Sequence, residues 1–258
     1  MTIQQVLMAG SGGFTALEAV QSAGLTSNLV LCLDAGDGQS YASGTKWLDR
    51  SGNGYDFDIT GATLTGAPGA RSSYFALDGS SYFTYDTTNE TWMQNIHKDN
   101  AIYTFIAFYY LASSTASQGF AGTSANDPNN IGFRYIVNDT PAGLIVIDDG
   151  SGVSALSQIL PTATEGAWNM HGVSIDEAGG VVSFGYVNGV DGSAFDAAYT
   201  TPSASSATYT FQVGATGNNA NLIESGGRFG IFMAWSGTAL TAANMDSLWT
   251  NLRGRYGI

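Results

Sequence analysis

Basic residues are scarce in this chain, with Lys and Arg numbering 8 against 21 Asp and Glu for a net charge of -13 at pH 7. Such a surface repels a phosphate backbone instead of releasing its counterions, so nucleic acid is not an expected partner. Metal cations or a basic protein surface would suit it better. Cysteine is nearly absent. The one thiol, Cys32, excludes an internal disulfide and any multi-cysteine metal site, and its neighbours Leu31 and Leu33 mark it as a packed core residue. Charged residues of both signs reach only 11%, against roughly 25% in an average domain, so Ser, Thr, Asn and Gly must build most of the surface. Long apolar runs are missing too. Residues 1–24 carry no Lys or Arg and no stretch long enough for a signal peptide or a membrane span. The expectation is a soluble protein made in the cytoplasm without an export signal.

What the chain does have is apolar residues and turns. At 258 residues, 44% hydrophobic and 12% aromatic, it can bury a sizeable core, and all-β sandwiches of about 200–250 residues are common as one domain. Its 34 glycines fall between short apolar runs without a fixed period, which signals many turns. Leu29–Leu33 followed by Asp34-Ala-Gly-Asp-Gly, and Tyr103–Leu111 followed by Ala-Ser-Ser-Thr, each read as a strand and its turn. Further strands are expected at Tyr82–Tyr85, Ile131–Val137, Leu144–Ile147, Met170–Ile175, Val181–Val187, Tyr209–Val213 and Phe229–Trp235. Asn188-Gly189 is the strongest hairpin signal. The fold class is all-β, an antiparallel two-sheet sandwich.

Helices are expected only at the ends. Thr15 and Glu18 stand in capping-box relation ahead of Ala16–Ala23, and Gly24 would end that short helix. Because Met8–Gly13 is glycine-broken, residues 1–26 read as an N-terminal arm preceding a sandwich domain at 27–258, either a disordered lead-in later docked on the sandwich or an attachment segment for a neighbouring subunit. At the other end Thr241 caps a helix whose Met245, Leu248, Trp249 and Leu252 recur at i, i+3, i+4 and i+7. Leu240 and Met245 are spaced as a staple, Asp246 and Arg253 suit the dipole, and Gly254 would supply the stop. Leu248 and Trp249 are expected to bury against the sandwich.

Three stretches carry a family resemblance. Leu33-Asp-Ala-Gly-Asp37, Thr45–Gly54 with its Trp47-Leu-Asp49, and Leu77-Asp-Gly-Ser-Ser-Tyr-Phe83 resemble the opening of concanavalin A-like, laminin-G-like domains common in bacteriophage virion proteins. Ala167–Asp176 followed by Val181–Gly189 resembles the paired strands of that family ending in an Asn-Gly turn, and Gly227–Phe232 with the final helix also fits. Two features depart from it: Gly172 and Ser174 within a strand, and the small-residue stretch Gln118–Asn130. The resemblance implies a jelly-roll sandwich closed by a short C-terminal helix. It implies a virion component in many copies, either a capsid decoration protein or a head or tail fibre subunit, with capsid or tail proteins of the same particle as partners.

Domains of that fold often bind calcium through Asp and Asn on loops, and oxygen ligands are what this cation requires. Asp34, Asp37, Asp49, Asn53 and Asp78 lie in the three opening motifs, with Asp148-Asp149 as a second cluster. Each also suits a turn, since Asp and Asn accept from nearby backbone amides. Tyr41, Tyr55 and Trp92 are the candidates for stacking on sugar rings. Catalysis is not expected. Relatives that hydrolyse glycosides pair carboxylates two residues apart on one strand, and none of Glu18, Glu90, Glu165, Glu177 and Glu224 has an Asp two positions later. His97 and His171 are the only histidines, and no Gly-x-Ser-x-Gly elbow is present. A non-enzymatic virion protein with a lectin-like domain is the leading reading, and a carbohydrate-binding or adhesion module of a bacterial surface protein is the alternative.

Overall fold

The computed structural model describes residues 13–86 and 88–258. Most of the lead-in Met8–Gly13 therefore lies outside the described residues. In chain order the first elements are α1 (Ala16–Ser22), β1 (Leu29–Asp34), β2 (Lys46–Trp47), β3 (Phe57–Thr60), β4 (Thr63–Thr65), β5 (Tyr74–Ala76), β6 (Tyr82–Tyr85) and α2 (Thr91–Asn95). Then come β7 (Ile102–Leu111), β8 (Gln118–Gly122), β9 (Ile131–Val137), β10 (Ala142–Asp149), β11 (Ser154–Thr162) and β12 (Ala167–Asp176). The chain closes with β13 (Phe184–Val187), β14 (Val190–Asp191), β15 (Gln212–Val213), β16 (Arg228–Ser236) and α3 (Ala242–Leu252). These strands form two eight-stranded antiparallel sheets, one ordered β14-β13-β12-β7-β16-β5-β4 with β1 also on β16, the other β11-β10-β9-β8-β15-β6-β3-β2. The expected all-β sandwich with a short C-terminal helix is the fold observed.

Strand β7 explains the architecture. Its Tyr103, Phe105, Ala107, Tyr109 and Leu111 face the second sheet, while Ile106 and Phe108 face the opposite way, and both sets are buried. An unbroken apolar run is required because both faces of this strand are covered. Between the sheets lies an aromatic core, with Phe105 stacked on Phe133 at 5.2 Å and Trp47 edge-on to Phe75 at 5.0 Å. On the other face of the first sheet, α1 and α3 bring Ala16, Ala19, Val20, Met245, Leu248 and Leu252 onto Ile106, Phe108, Met170, Met233 and Trp235. The capping box of α1 forms as expected, Thr15 Oγ1 accepting from the Glu18 amide at 3.1 Å and the Thr15 amide donating to Glu18 Oε2 at 2.7 Å. Residues 13–26 are thus packed on the sandwich.

Several local expectations change. Gly172, unusual for a strand, lies under α3, where a Cβ would come within 2.9 Å of Met245 Sδ. Within the small-residue stretch Gln118–Asn130, Gln118–Gly122 form strand β8, and a Cβ on Gly119 would meet the Ala215–Thr216 backbone at 2.7 Å. Val181 and Val182 stay exposed, at 44% and 61%, and the strand begins only at Phe184. Gly254 does not stop the final helix, which tightens into a 3-10 turn over Arg253–Arg255. Trp249 is only partly buried, resting on the Asn188-Gly189 turn, whereas Leu248 is fully enclosed. No helix among the described residues is long and apolar enough to cross a membrane.

Candidate functional site

The carboxylates expected to bind calcium are engaged elsewhere. Asp34 is fully buried and accepts from the Ala16 and Gly36 amides, both at 2.8 Å, and from two nitrogens of Arg255 at 2.8 and 2.7 Å. Asp37 pairs with Arg50 at 3.1 Å and accepts from the Gln39 amide. Asp49 takes the amides of Cys32, Ser51, Gly54 and Tyr55, and Asn53 donates to the Leu29 and Val30 carbonyls. Asp78 is exposed and accepts from Ser80 and Ser81, whose donors hold its carboxyl down to about 2. No group of three or more His, Cys, Asp or Glu among the described residues is placed to hold a metal ion. In this structure the opening motifs serve as turn and strand locks.

The second acidic cluster divides as strand alternation requires. Asp148 is buried beneath Arg134, at 2.9 and 3.1 Å, with Ser124 and Ser154 donating to it. Asp149 accepts from the Ser151 amide and from the Thr201 hydroxyl. His171 is fully buried between the sheets, where Tyr135 Oη donates to Nδ1 at 2.8 Å and Nε2–H donates to the Pro161 carbonyl at 2.9 Å. Burial lowers its pKa to about 4, so it is a neutral structural bridge at neutral pH. His97 is likewise buried, donating to the Ser205 carbonyl, with its pKa lowered by burial.

Of the stacking candidates, Tyr41 packs edge-on to Phe75 at 4.9 Å and Tyr55 lies 6.0 Å from Tyr85. Trp92 offers no open ring face. It is 8% exposed and packs on Phe211 at 5.5 Å. It does line a cavity of about 330 Å³ at one end of the sandwich, between α2 and the start of β7. Exposed Asn95 and Asn100, half-buried Lys98 and Ser236 give this cavity a polar rim over a floor of Trp92 and Tyr103. The wall is held by Tyr199, whose hydroxyl donates to the Ile96 carbonyl at 2.9 Å and lies 3.2 Å from that of Tyr103. Trp92 Nε1–H is buried without a partner, and Lys98 makes no ion pair among the described residues. The indole N–H is enclosed, but an unpaired ammonium beside exposed amides suits a ligand rich in hydroxyl acceptors. Trp92 alone was among the sequence candidates. The polar run Asn95-Ile-His-Lys-Asp-Asn100 after it was the available signal.

No protein-family model matches the sequence, and no curated protein matches it. Solved structures with a similar fold include the binding domain of botulinum neurotoxin serotype D/C, at 11% identity and TM-score 0.60, covering 88% of this chain and 53% of that one. The serotype D binding domain matches at 14% identity and TM-score 0.60 over 90% of this chain and 52% of that one. A structure of botulinum neurotoxin type C, a toxin whose cell entry is described as dependent upon interaction with two ganglioside molecules, matches at 11% identity and TM-score 0.60 over 90% of this chain and 53% of that one. The chain therefore spans about half the length of these neighbours, and the likeness is one of fold.

Proposed function

We propose that the chain is a non-catalytic recognition module that binds glycans through the cavity beneath α2, displayed in many copies on a bacteriophage particle as a capsid decoration protein or fibre subunit. The observation that carries the glycan reading is the cavity itself, which Lys98 and the amide side chains of Asn95 and Asn100 line beside Trp92. The fold shared with toxin binding domains, one of them described with gangliosides, supports it. Burial of Asp148 beneath Arg134 argues against a pair of working carboxylates there. For the virion setting, support comes from the low charge, the Ser/Thr/Gly-rich surface and the resemblance of the opening motifs.

A glycan array probed with the purified chain tests the first half. Selective binding is expected, falling about ten-fold or more in Lys98→Ala and in Asn95→Ala, each of which removes a polar group from the rim. Uniform failure to bind, or binding unchanged in both variants, would refute it. Mass spectrometry of purified particles tests the second half, with many intact copies per particle expected and its absence decisive against. Attachment through the N-terminal arm belongs to the same proposal, but α1 is part of a buried core. Removal of residues 1–12 is therefore the deletion expected to leave a folded chain that no longer associates with particles, and full particle occupancy after it would place the anchor elsewhere.

A further inference from the structure

At the opposite end of β7 and β16 from that cavity, the strand register builds a second feature. Trp168 pairs with Tyr110, Tyr110 with Arg228, Arg228 with Ala76, and Ala76 with Thr63, across five consecutive strands of the first sheet. Their chain neighbours Tyr109, Phe229 and Phe75 point into the inter-sheet core, so this row lies on the outer face. Tyr74 and Thr65, two residues along from Ala76 and Thr63, share that face. The guanidinium of Arg228 sits over the Tyr110 ring at 4.3 Å and the Tyr74 ring at 4.9 Å. Trp168 meets both rings edge-on, at 6.2 and 5.5 Å, and is backed by Tyr256 stacked at 3.9 Å.

Arg228 differs from most cations of this acidic chain. Lys46, Arg50, Arg71, Arg134 and Arg255 each pair with a carboxylate. Among the described residues Arg228 has no ion pair, and its side chain donates no hydrogen bond of the kind that Arg50, Arg71, Arg134 and Arg255 make. Two aromatic faces hold the planar fork in place while its donors stay unused, which pre-organises it for a bidentate acceptor. The exposed hydroxyls of Thr63 and Thr65 continue the row. We propose that this face is a second binding site, for a carboxylate-bearing sugar. Arg228 receives the carboxylate, the rims of Tyr74 and Tyr110 meet the ring, and the threonines meet its hydroxyls. From Tyr103 to Tyr110 a strand advances roughly 23 Å, so the two sites are separate and this one does not depend on the cavity.

Calorimetric titration of the full chain with sialic acid and glucuronic acid, beside their methyl esters and acetate, tests this. Both acids are expected to bind, the esters about ten-fold or more weaker, acetate negligibly, and affinity to fall with added salt. Arg228→Gln should remove acid binding and Arg228→Lys should recover only part of it, with thermal melts confirming that each variant is folded. Lys98→Ala should leave it unchanged. Should Arg228→Gln fail to fold, Tyr110→Leu, which removes one clamp, is expected to weaken acid binding in its place. Equal binding of acid and ester, acetate binding as well as either sugar, loss of binding in Lys98→Ala instead, or no acid binding by the intact chain would each overturn the site. None of these except the Lys98→Ala result bears on the cavity.

Discussion

Two buried layers share the first sheet, and a polar bridge of a different kind crosses each. Between the sheets the bridge is neutral: His171 on β12 joins Tyr135 on β9 and the Pro161 carbonyl on β11. Beneath the helices it is ionic. Asp34 at the end of β1 receives the first amide of α1 and both terminal nitrogens of Arg255, so one carboxylate ties the two ends of the described chain to the sheet. The neutral bridge costs little to bury once both ring nitrogens are satisfied. The ionic one loses much of its Coulombic gain to desolvation and is best understood as fixing where the helices sit. The inter-sheet layer follows from apolar pattern, and the helical layer needs a specific lock.

The strongest way to break this contrast is to remove one half of the lock. Arg255→Ala leaves Asp34 buried without its cation and should cost about 3–5 kcal/mol. Urea denaturation measures it, and a loss under about 1 kcal/mol would mean that the helical layer does not depend on the pair. Replacing both partners, as Asp34→Asn with Arg255→Met, should recover part of the loss, because no uncompensated charge remains.

Packing of α3 comes next. Leu248 is fully buried, so Leu248→Ala should cost about 2–5 kcal/mol. Trp249 rests partly exposed on the Asn188-Gly189 turn with Arg253 over its ring at 5.9 Å, and Trp249→Ala should cost only about 1–2 kcal/mol. A larger loss at Trp249 than at Leu248 would reverse the assignment of the buried face.

This pair also shows how far the sequence could be read. Periodicity placed Leu248 and Trp249 on one apolar stripe but not which of them the sheet would enclose, since that depends on the rotation of the helix over β12. Strands with apolar runs, such as β1, β7 and β16, were legible throughout. Strand β11 was not, because its outer positions carry Ser157 and an exposed Ile159 that blur alternation. The Asp-rich opening motifs were legible as turns, but their sequence left two chemistries open, because an Asp that accepts backbone amides and one that binds a cation look alike in sequence. The Arg228 row was invisible for a simpler reason: its members come from five strands and meet only through register.

Acid should act on the inter-sheet layer through His171. Its pKa falls from 6.5 to about 4 in the folded protein, so between those values the unfolded chain binds the extra proton and stability declines as pH drops. The loss is fully developed below about pH 4, and over the whole window it amounts to about 3 kcal/mol. His171→Gln should be less stable at neutral pH yet show a flatter stability profile between pH 6.5 and 4. An unchanged slope in that variant would assign the acid sensitivity to other groups.

The smallest effect on stability, and the sharpest on the comparison, concerns Cys32. Its side chain lies in the helical layer, fully buried, and burial together with Asp34 and Asp49 raises its thiol pKa well above the usual range. Alkylation in the native state should therefore be undetectable, and any rate observed reports opening of whatever covers it. Its neighbours Leu31 and Leu33 belong to the inter-sheet core, so loosening between the sheets need not uncover the sulfur, whereas lifting α1 and α3 must. A helix as short as α1 has little stability of its own and holds through packing and the Asp34 lock. Iodoacetamide labelling of Cys32 should accordingly accelerate on the order of a hundredfold or more in Arg255→Ala, in line with its predicted destabilisation, while His171→Gln at neutral pH leaves the rate nearly unchanged. Equal acceleration per kcal/mol in both variants would show that the layers open only together, and the helical layer would then be no more than the outer surface of one cooperative core.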